Sequence, residues 1–173
     1  MSEKILKSFL KKYEGIPKAE MPPKIIDYFL DLSDVYMKYG ELEQFKSDYK
    51  SAFDFFVSSL EILKLYDDPH SRAVAELYYL MGNVADYDAR LAMCCFYKTY
   101  LIMKKLLMKE LKQDINIDID FSNINKEEVQ LDNELLMFKQ NDSEEVIDLK
   151  GIMIELKQKV ALVLLRLKML QKK

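Results

Sequence analysis

The stretch from residue 68 to residue 103 constrains the fold more than any other part of this chain. Two segments with helical apolar periodicity flank a short polar turn, and each carries a small residue, Gly82 in the first and Ala92 in the second. Two antiparallel helices approach closely where small residues lie, and large residues around them fill the remaining space. Asp68 is expected to cap the first helix, and Pro69 to take its first position, where a missing N–H does no harm. The stretch therefore predicts a helical hairpin.

The order of large and small residues in this hairpin follows the tetratricopeptide (TPR) pattern. The pattern consists of Ala75, Tyr78, Met81, Gly82 and Ala85 in the first helix, and of Ala92, Phe96, Thr99 and Tyr100 in the second. An upstream copy of the pattern is expected. In its first helix, Phe29, Leu32, Ser33 and Tyr36 correspond to residues 78, 81, 82 and 85. In its second helix, Ala52, Phe56 and Ser59 correspond to residues 92, 96 and 99. The second helices are then offset by 40 residues and the first helices by 49, which predicts a longer turn in the first repeat.

The composition predicts a single all-α, TPR-like domain covering residues 1–173. Of these 173 residues 50% are hydrophobic and 32% are charged, and only four glycines and four prolines interrupt the chain, which is typical of long solvated helices. Strand-like alternation is confined to residues 115–119. A net charge of −3 is too small to indicate direct binding of nucleic acid or of a membrane. Cys94 and Cys95 are neighbours on a predicted helix and point about 100° apart, so no disulfide is expected between them. Free cysteines fit a reducing compartment, which we therefore expect.

Breakers and capping residues predict the boundaries within this domain. We expect an amphipathic helix at 3–14 that Gly15 ends, and a first repeat at 22–66. The first helix of this repeat is expected to run from the Pro22-Pro23 pair to Tyr39, with Gly40 as the stop. The second helix is expected to run from Asp48 to Tyr66. The central TPR follows at 68–112, then a polar loop and a short helix at 113–142, and finally a long helix at 143–171 that Asp142 and Glu145 are expected to cap.

The last helix carries an apolar stripe with alternating spacings of four and three residues. The stripe consists of Leu149, Met153, Leu156, Val160, Val163, Leu167 and Leu170. A repeat array exposes an apolar face at each end, so this helix is expected to cap the open end of the stack. The alternative is a coiled coil that joins two copies of the chain, since the same spacing is typical of coiled coils. A monomer is therefore the first expectation and a homodimer the second.

Acidic residues follow one face of the first helix in each predicted repeat. Asp27, Asp31 and Asp34 are spaced i, i+4 and i+7, and Glu76, Tyr79, Asn83 and Asp86 are spaced i, i+3, i+7 and i+10. One interpretation is that both are ordinary solvated helix faces. The other is a concave groove for a basic, partly helical ligand, in which carboxylates pair with Lys and Arg and the tyrosine ring adds apolar and cation–π contact.

Residues 71–82 resemble the specialised, interrupted TPR (SHNi-TPR) of the NASP family of histone chaperones. The family signature is approximately R-x-x-A-E-x-x-Y-x-L-G, and this chain fills it with Arg72, Ala75, Glu76, Tyr79 and Gly82 in register and with Met81 in place of the leucine. Residues 30–35 are similar to the family's Leu-x-Leu-Gly-Glu-Val segment.

The resemblance implies a nuclear histone chaperone, able to shuttle to the cytoplasm, that binds histone H3, free or with H4. Storage, transport or nucleosome assembly would be its role, and other histone chaperones would be further partners. It implies that Asp34, Glu76 and Tyr79 contact histone H3, whereas Asn83 stands where the family groove has an apolar residue. The chain differs from the family in that it is expected to lack the first repeat and the long acidic insertion.

Two other classes of function stay open, and an enzyme is not expected. A TPR adaptor would bind another basic helical peptide or a partner protein. If its ligand were a peptide C-terminus, it would need Lys, Arg and Asn on the groove helices, where this chain has acids. A purely structural bundle would dimerise through its last helix. The sequence shows no nucleophile–base pair, phosphate loop or metal-ligand cluster, so no catalytic residue, cofactor or metal is expected. The single histidine, His70, is expected at the surface, and both cysteines in the core or the groove wall.

Overall fold

The chain folds as an array of α-helices. The computed structural model describes residues 8, 11–13, 15–85, 87–112, 136, 137, 139 and 142–170. Within these residues, two 3₁₀ helices, Lys11–Tyr13 and Lys18–Glu20, precede five α-helices, which are α1 (Pro23–Phe45), α2 (Tyr49–Tyr66), α3 (Arg72–Val84), α4 (Ala89–Glu110) and α5 (Glu144–Leu170). The described residues contain no β-strand, so the predicted all-α class is confirmed.

The helices pack as consecutive neighbours along the chain. α1 packs against α2, α2 against α3, α3 against α4, and α4 against α5. Three residues, 46–48, join α1 to α2, and four residues, 85–88, join α3 to α4. The predicted helix-hairpin array with a long last helix is therefore confirmed, whereas the longer turn expected in the first hairpin is wrong.

A glycine inside the first helix of each hairpin sets the distance between the two helices. The predicted stop at Gly40 is wrong, because α1 continues through this residue to Phe45. A Cβ atom built on Gly40 would overlap the ring of Phe56 in α2. At Gly82 in α3, a Cβ would lie 2.7 Å from Cε1 of Phe96 in α4. Both glycines therefore leave room for a phenylalanine ring of the facing helix.

A second pair of contacts establishes how the two hairpins correspond. Ser33 Oγ lies 2.8 Å from Ser59 Oγ in the first hairpin, and in the second hairpin Thr99 Oγ1 lies 3.3 Å from the Ala75 carbonyl oxygen. Ser33 therefore matches Ala75, just as Gly40 matches Gly82, and the first helices are offset by 42 residues. The predicted offset of 49 is wrong by seven residues. Because seven residues are about two helical turns, the shift keeps the same face and the size pattern fits both alignments.

The N-terminal caps are partly as predicted. Asp48 caps α2 as expected, and its Oδ1 accepts a hydrogen bond from the Ser51 backbone N–H at 3.1 Å. The cap predicted for α3 at Asp68 is wrong, because that helix begins at Arg72 and its cap is Ser71, whose Oγ accepts from the Val74 N–H at 3.3 Å. Asp68 instead accepts from the backbone N–H two residues later, within the turn that precedes the helix.

The apolar stripe of α5 packs onto the rest of this chain. Leu149, Met153, Leu156 and Val160 are at most 2% exposed, and they belong to the main hydrophobic core with residues of α2, α3 and α4. Farther along, Val163 and Leu167 are half-buried against the same core, while nothing is described for the Leu170 side chain. This packing supports the interpretation of α5 as a cap on the end of the array.

A buried ion pair fixes the start of α5. Lys150 Nζ lies 2.6 Å from Asp142 Oδ2, and the two side chains are only 2% and 5% exposed. Lys150 also donates to the Met137 carbonyl oxygen at 2.8 Å. The predicted Asp142 cap is therefore wrong: Asp142 holds the preceding segment to the helix, and Ser143 Oγ accepts the capping hydrogen bond from the Val146 N–H.

Other sequence predictions fall largely outside the described residues. The amphipathic helix expected at 3–14 is described only at residue 8 and at 11–13, and the loop and short helix expected at 113–142 only at 136, 137, 139 and 142. The last helix is described to Leu170, one residue short of the expected end. None of the described helices combines the length and apolarity needed to cross a membrane.

Replacing the two helical glycines Gly82 and Gly151 separates close packing from helix propensity. Gly82→Ala is expected to destabilise the protein by about 1–3 kcal/mol, because the new methyl group overlaps the Phe96 ring in a packed core. At Gly151 in α5 a new methyl group would meet no neighbouring atom within 4 Å, so Gly151→Ala is expected to stabilise by about 0.5–1 kcal/mol. Urea unfolding curves measure both changes. Equal effects at the two positions would contradict the packing role of Gly82.

Lys150→Met is expected to lower the melting temperature, because it leaves the Asp142 carboxylate enclosed without its cation. The hydrogen bond from Lys150 holds the pKa of Asp142 below its usual value of 3.8. The pair therefore stabilises the fold fully above that pH, and this stability is lost as the pH falls through the lowered pKa. Thermal melts between pH 6 and pH 2 should show a smaller acid-induced drop for Lys150→Met than for wild type. Lys168→Met, an exposed change on the same helix, is the control and should behave as wild type.

Candidate functional site

The predicted site residues of α1 are exposed acidic side chains. Asp27, Asp31 and Asp34 are all exposed on this helix. The 42-residue offset between the first helices matches Asp34 to Glu76 of α3, which is also exposed. It matches Asp27 and Asp31 to Pro69 and Ala73, neither of which carries a charge. Only Asp34 therefore has an acidic counterpart at the equivalent position of the second hairpin.

Lys38 of α1 is influenced by acidic residues of both α1 and α3. Its ammonium group donates to Glu41 Oε1 at 2.9 Å and to Glu41 Oε2 at 2.7 Å. This hydrogen bonding raises the pKa of Lys38, and the negative charges of Glu76 and Asp34 raise it further. Lys38 therefore contacts Glu41 and lies within the electrostatic influence of Asp34 and Glu76. We call Asp34, Glu41 and Glu76 the acidic face.

Tyr79 and Asn83 lie at the junction of α3 and α5. The Tyr79 hydroxyl donates a hydrogen bond to the Glu155 carboxylate, and Asn83 Oδ1 accepts one from Lys159 Nζ at 3.1 Å. Lys159 Nζ also lies 5.8 Å from the centroid of the Tyr79 ring. Burial, followed by the hydrogen bond to Glu155, raises the pKa of Tyr79. Both predicted residues are thus half-buried and already bonded to the last helix.

The polar contacts between α3 and α5 show that the two helices run parallel. Arg72 Nη2 lies 2.5 Å from Asp148 Oδ2, near the start of both helices. In the contacts Arg72–Asp148, Tyr79–Glu155 and Asn83–Lys159, the two partners are always 76 residues apart. This constant separation means that the helices lie side by side in register. α5 therefore stands beside α3 as a further first helix of the array would.

A cleft of about 250 Å³ opens where α3, α4 and α5 meet. Its lining consists of Arg72, Ala75, Glu76, Tyr79, Thr99, Met103, Ile152 and Glu155. Ala75, Thr99 and Met103 are buried and form the floor, whereas the two glutamates are exposed and form the rim. Two predicted site residues, Glu76 and Tyr79, therefore line a concave surface. Asp86, the remaining predicted site residue, lies outside the described residues.

A larger cavity, of about 860 Å³, lies against α1 and α2. Its lining is mainly aromatic and aliphatic and includes Phe29, Leu32, Tyr36, Ile62 and Tyr66. Among its described lining residues the only carboxylate is Glu61, and none is a predicted site residue. Its chemistry therefore does not match that of the acidic face.

Sequence reasoning missed the residues that α5 contributes to the site. Glu155 and Lys159 contact Tyr79 and Asn83, and Asp148 binds Arg72. The sequence contained one usable signal, which is that residues 148, 155 and 159 of the last helix repeat the spacing of residues 72, 79 and 83. Such a match becomes meaningful only once α5 is known to lie parallel to α3.

The single histidine lies among other charged groups outside this cleft. Lys105 Nζ is 3.3 Å from His70 Nδ1, and Asp68 Oδ1 is 3.6 Å from the same atom. The His70 side chain is 29% exposed, so the imidazole is partly covered. Within the described part of the chain, no group of three or more His, Cys, Asp or Glu side chains is arranged to hold a metal ion.

The two neighbouring cysteines differ in environment. Cys95 is 3% exposed within the core, and burial raises the pKa of its thiol to about 12. Cys94 is half-exposed, and both are free thiols. The expectation that Cys95 belongs to the core is confirmed.

No protein-family model matches this chain, and no curated protein matches it significantly.

The difference in burial predicts different reactivity of the two thiols. At pH 8 the Cys94→Ser variant, which keeps only Cys95, is expected to react slowly with a chromogenic thiol reagent, because the thiol is buried and stays protonated. The Cys95→Ser variant, which keeps the half-exposed Cys94, should react faster. Both should react at the same rate in concentrated urea. Fast native reaction of Cys95 would contradict its placement in the core.

Proposed function

We propose that this chain is a histone chaperone that binds histone H3, free or with H4, through the acidic face of a TPR array. The observation that carries the proposal is the repetition of a carboxylate at one position of both hairpins, Asp34 in α1 and Glu76 in α3. A ligand lying across the first helices would meet both carboxylates. Such a ligand needs basic side chains, which are abundant in histones.

The charges on the acidic face favour a basic ligand over an acidic one. Asp34, Glu41 and Glu76 carry three negative charges, and Lys38 offsets one of them. Lysine and arginine side chains of a ligand would form charge-assisted hydrogen bonds with the carboxylates that remain. Complementary charge of this kind contributes mainly to the rate of association and to specificity.

The resemblance to the NASP family supports the proposal, because several signature residues have structural roles that a helix hairpin of this type requires. Gly82 leaves room for the Phe96 ring, and the carbonyl oxygen of Ala75 lies 3.3 Å from the Thr99 hydroxyl. Arg72 joins α3 to α5 through Asp148. Glu76 is the signature residue that stays exposed without a bond to α5, as a ligand-binding residue would. A nuclear location and transfer of H3–H4 between chaperones follow from the same proposal.

The alternative function is that of an adaptor for another basic helical peptide. The acidic face would serve such a ligand equally well, so the identity of the ligand rests on the family resemblance. An adaptor for a peptide C-terminus is less favoured, because three candidate cations of the site already have partners. Lys38 binds Glu41, Arg72 binds Asp148, and Lys159 binds Asn83.

Whether α5 joins two copies of the chain distinguishes the proposed chaperone from a purely structural dimer. The first four residues of its apolar stripe are buried within this chain, which favours a monomer. Leu162, Leu165 and Met169 are exposed on the last part of the helix, where a second copy could pack in the homodimer alternative.

Substitutions that remove negative charges from the acidic face test the proposed function. The double variant Asp34→Asn, Glu76→Gln is expected to weaken binding of H3–H4 by about tenfold or more, because two charge-assisted contacts are lost. Asp54→Asn with Glu61→Gln on α2 removes the same charges from exposed positions outside the face and should bind as wild type. Fluorescence anisotropy with labelled H3–H4 measures the affinities.

Two further measurements complete this test. Asp31→Asn is expected to have a smaller effect than Asp34→Asn, because only Asp34 matches Glu76 in the second hairpin. Wild-type binding should persist at roughly 0.5 M salt, since apolar contact in the cleft beside Glu76 remains when salt screens the exposed charges. Wild-type protein that does not bind H3–H4 would refute the function, and equal losses in the two double variants would refute the site.

A further inference from the structure

The cleft between α3, α4 and α5 has the size of a receptor for one side chain. Its volume of about 250 Å³ lies below the range of about 300–1,000 Å³ that is typical of small-molecule sites. It opens between the two exposed glutamates, Glu76 on α3 and Glu155 on α5. A protruding side chain of a larger ligand would fit, whereas a whole cofactor would not.

The floor of the cleft favours an apolar stem. Ala75 and Met103 are buried there, and Ile152 lies half-buried on the wall. The one polar side chain of the floor, Thr99, has its hydroxyl within hydrogen-bond distance of the carbonyl oxygens of Ala75 and Cys95, at 3.3 and 3.1 Å. The floor therefore offers van der Waals contact and makes no demand for a polar ligand atom.

The rim of the cleft favours a positive charge. Arg72 also lines the cleft, but its guanidinium group is paired with Asp148 at 2.5 Å and with Glu145 at 3.5 Å, two carboxylates that do not line the cleft. Glu155 is exposed and accepts a hydrogen bond from the Tyr79 hydroxyl, and its two carboxylate oxygens have further lone pairs for a donor from a ligand.

The other cations near the rim have partners of their own. Lys159 binds Asn83 and lies over the ring of Tyr79. Lys38 donates to Glu41 and interacts with Glu76 only through charge. Two carboxylates above an apolar floor thus remain for a ligand.

We propose that this cleft binds one long cationic side chain, lysine or arginine, of the ligand. The methylene stem would pack on Ala75, Met103 and Ile152, and the head group would bind the carboxylates of Glu76 and Glu155. The proposal rests on the proposed function for the identity of the whole ligand. It adds a binding residue on the last helix, so that α5 both caps the array and contacts the ligand.

Other side chains fit the cleft less well. A purely apolar side chain would fill the floor but would leave the carboxylates of Glu76 and Glu155 at the rim without a partner. An acidic side chain would be repelled by both carboxylates. Lysine and arginine combine a long apolar stem with a charged end, so they can bury the stem while the charge stays at the rim.

The first experiment uses the full chain and H3–H4. Glu155→Gln is expected to weaken binding by about fivefold to tenfold, as loss of one charge-assisted hydrogen bond does. Glu144→Gln is the matched control, because it makes the same change at an exposed position of the same helix, eleven residues away. Control and wild type should bind equally, and circular dichroism melts should confirm that all three proteins fold. Equal binding by Glu155→Gln and Glu144→Gln would overturn the proposal.

The second experiment does not depend on histones. Nα-acetyl-lysine methylamide is titrated, at millimolar concentration, into protein with labelled methionine methyl groups, and the Met103 signal is assigned with a Met103→Leu variant. The compound is expected to shift the Met103 signal in wild type and to shift it much less in Glu155→Gln. Nα-acetyl-norleucine methylamide, which has a stem of similar length without the charge, should shift it less than the lysine compound does.

The two experiments distinguish failure of the cleft from failure of the function. A lysine-dependent shift of Met103 in a protein that does not bind H3–H4 would support the cleft and refute the histone ligand. No shift, or an equal shift with the norleucine compound, would overturn the cleft proposal even if H3–H4 binds.

Discussion

The close approach of a glycine to a phenylalanine ring determines the geometry of both hairpins. Gly40 faces Phe56, and Gly82 faces Phe96, and in each pair a methyl group on the glycine would collide with the ring. The contact has two consequences. It brings the helices close enough for a second, polar contact about two turns away, between Ser33 and Ser59 in the first hairpin. It also fixes the register, because only one residue of the first helix can accept the ring.

Register in turn decides which charges come together. Once Gly40 matches Gly82, Asp34 and Glu76 occupy equivalent positions of parallel helices, and Lys38 lies where both carboxylates act on it. The same logic extends to α5, whose polar contacts with α3 repeat at a constant separation of 76 residues. The acidic face and the cleft are thus products of helix packing.

The sequence predicted the helices well and their register poorly. Helical periodicity between short polar segments was enough to place four of the five described helices near their observed bounds, but the same periodicity repeats about every seven residues. A shift of two turns therefore left the size pattern unchanged, and Gly40 was assigned to a helix end although a ring packs on it. Local signals also compete: Asp68 and Ser71 can both cap a helix, and the chain uses the second. The Lys150–Asp142 pair and the role of Glu155 depend on contacts between separate segments, which composition and spacing cannot reveal.

The last helix both ends the array and contributes side chains to the cleft. A cap needs an apolar stripe toward the array, and α5 provides it with Leu149, Met153, Leu156 and Val160. Because α5 also lies parallel to α3, one flank of α5 lines the cleft together with α3 and α4. Glu155 lies on that flank beside Tyr79. A carboxylate there costs the fold little, since it stays exposed, and it extends the acidic face by one helix. The helix that completes the core therefore also supplies one of the two carboxylates at the rim of the cleft.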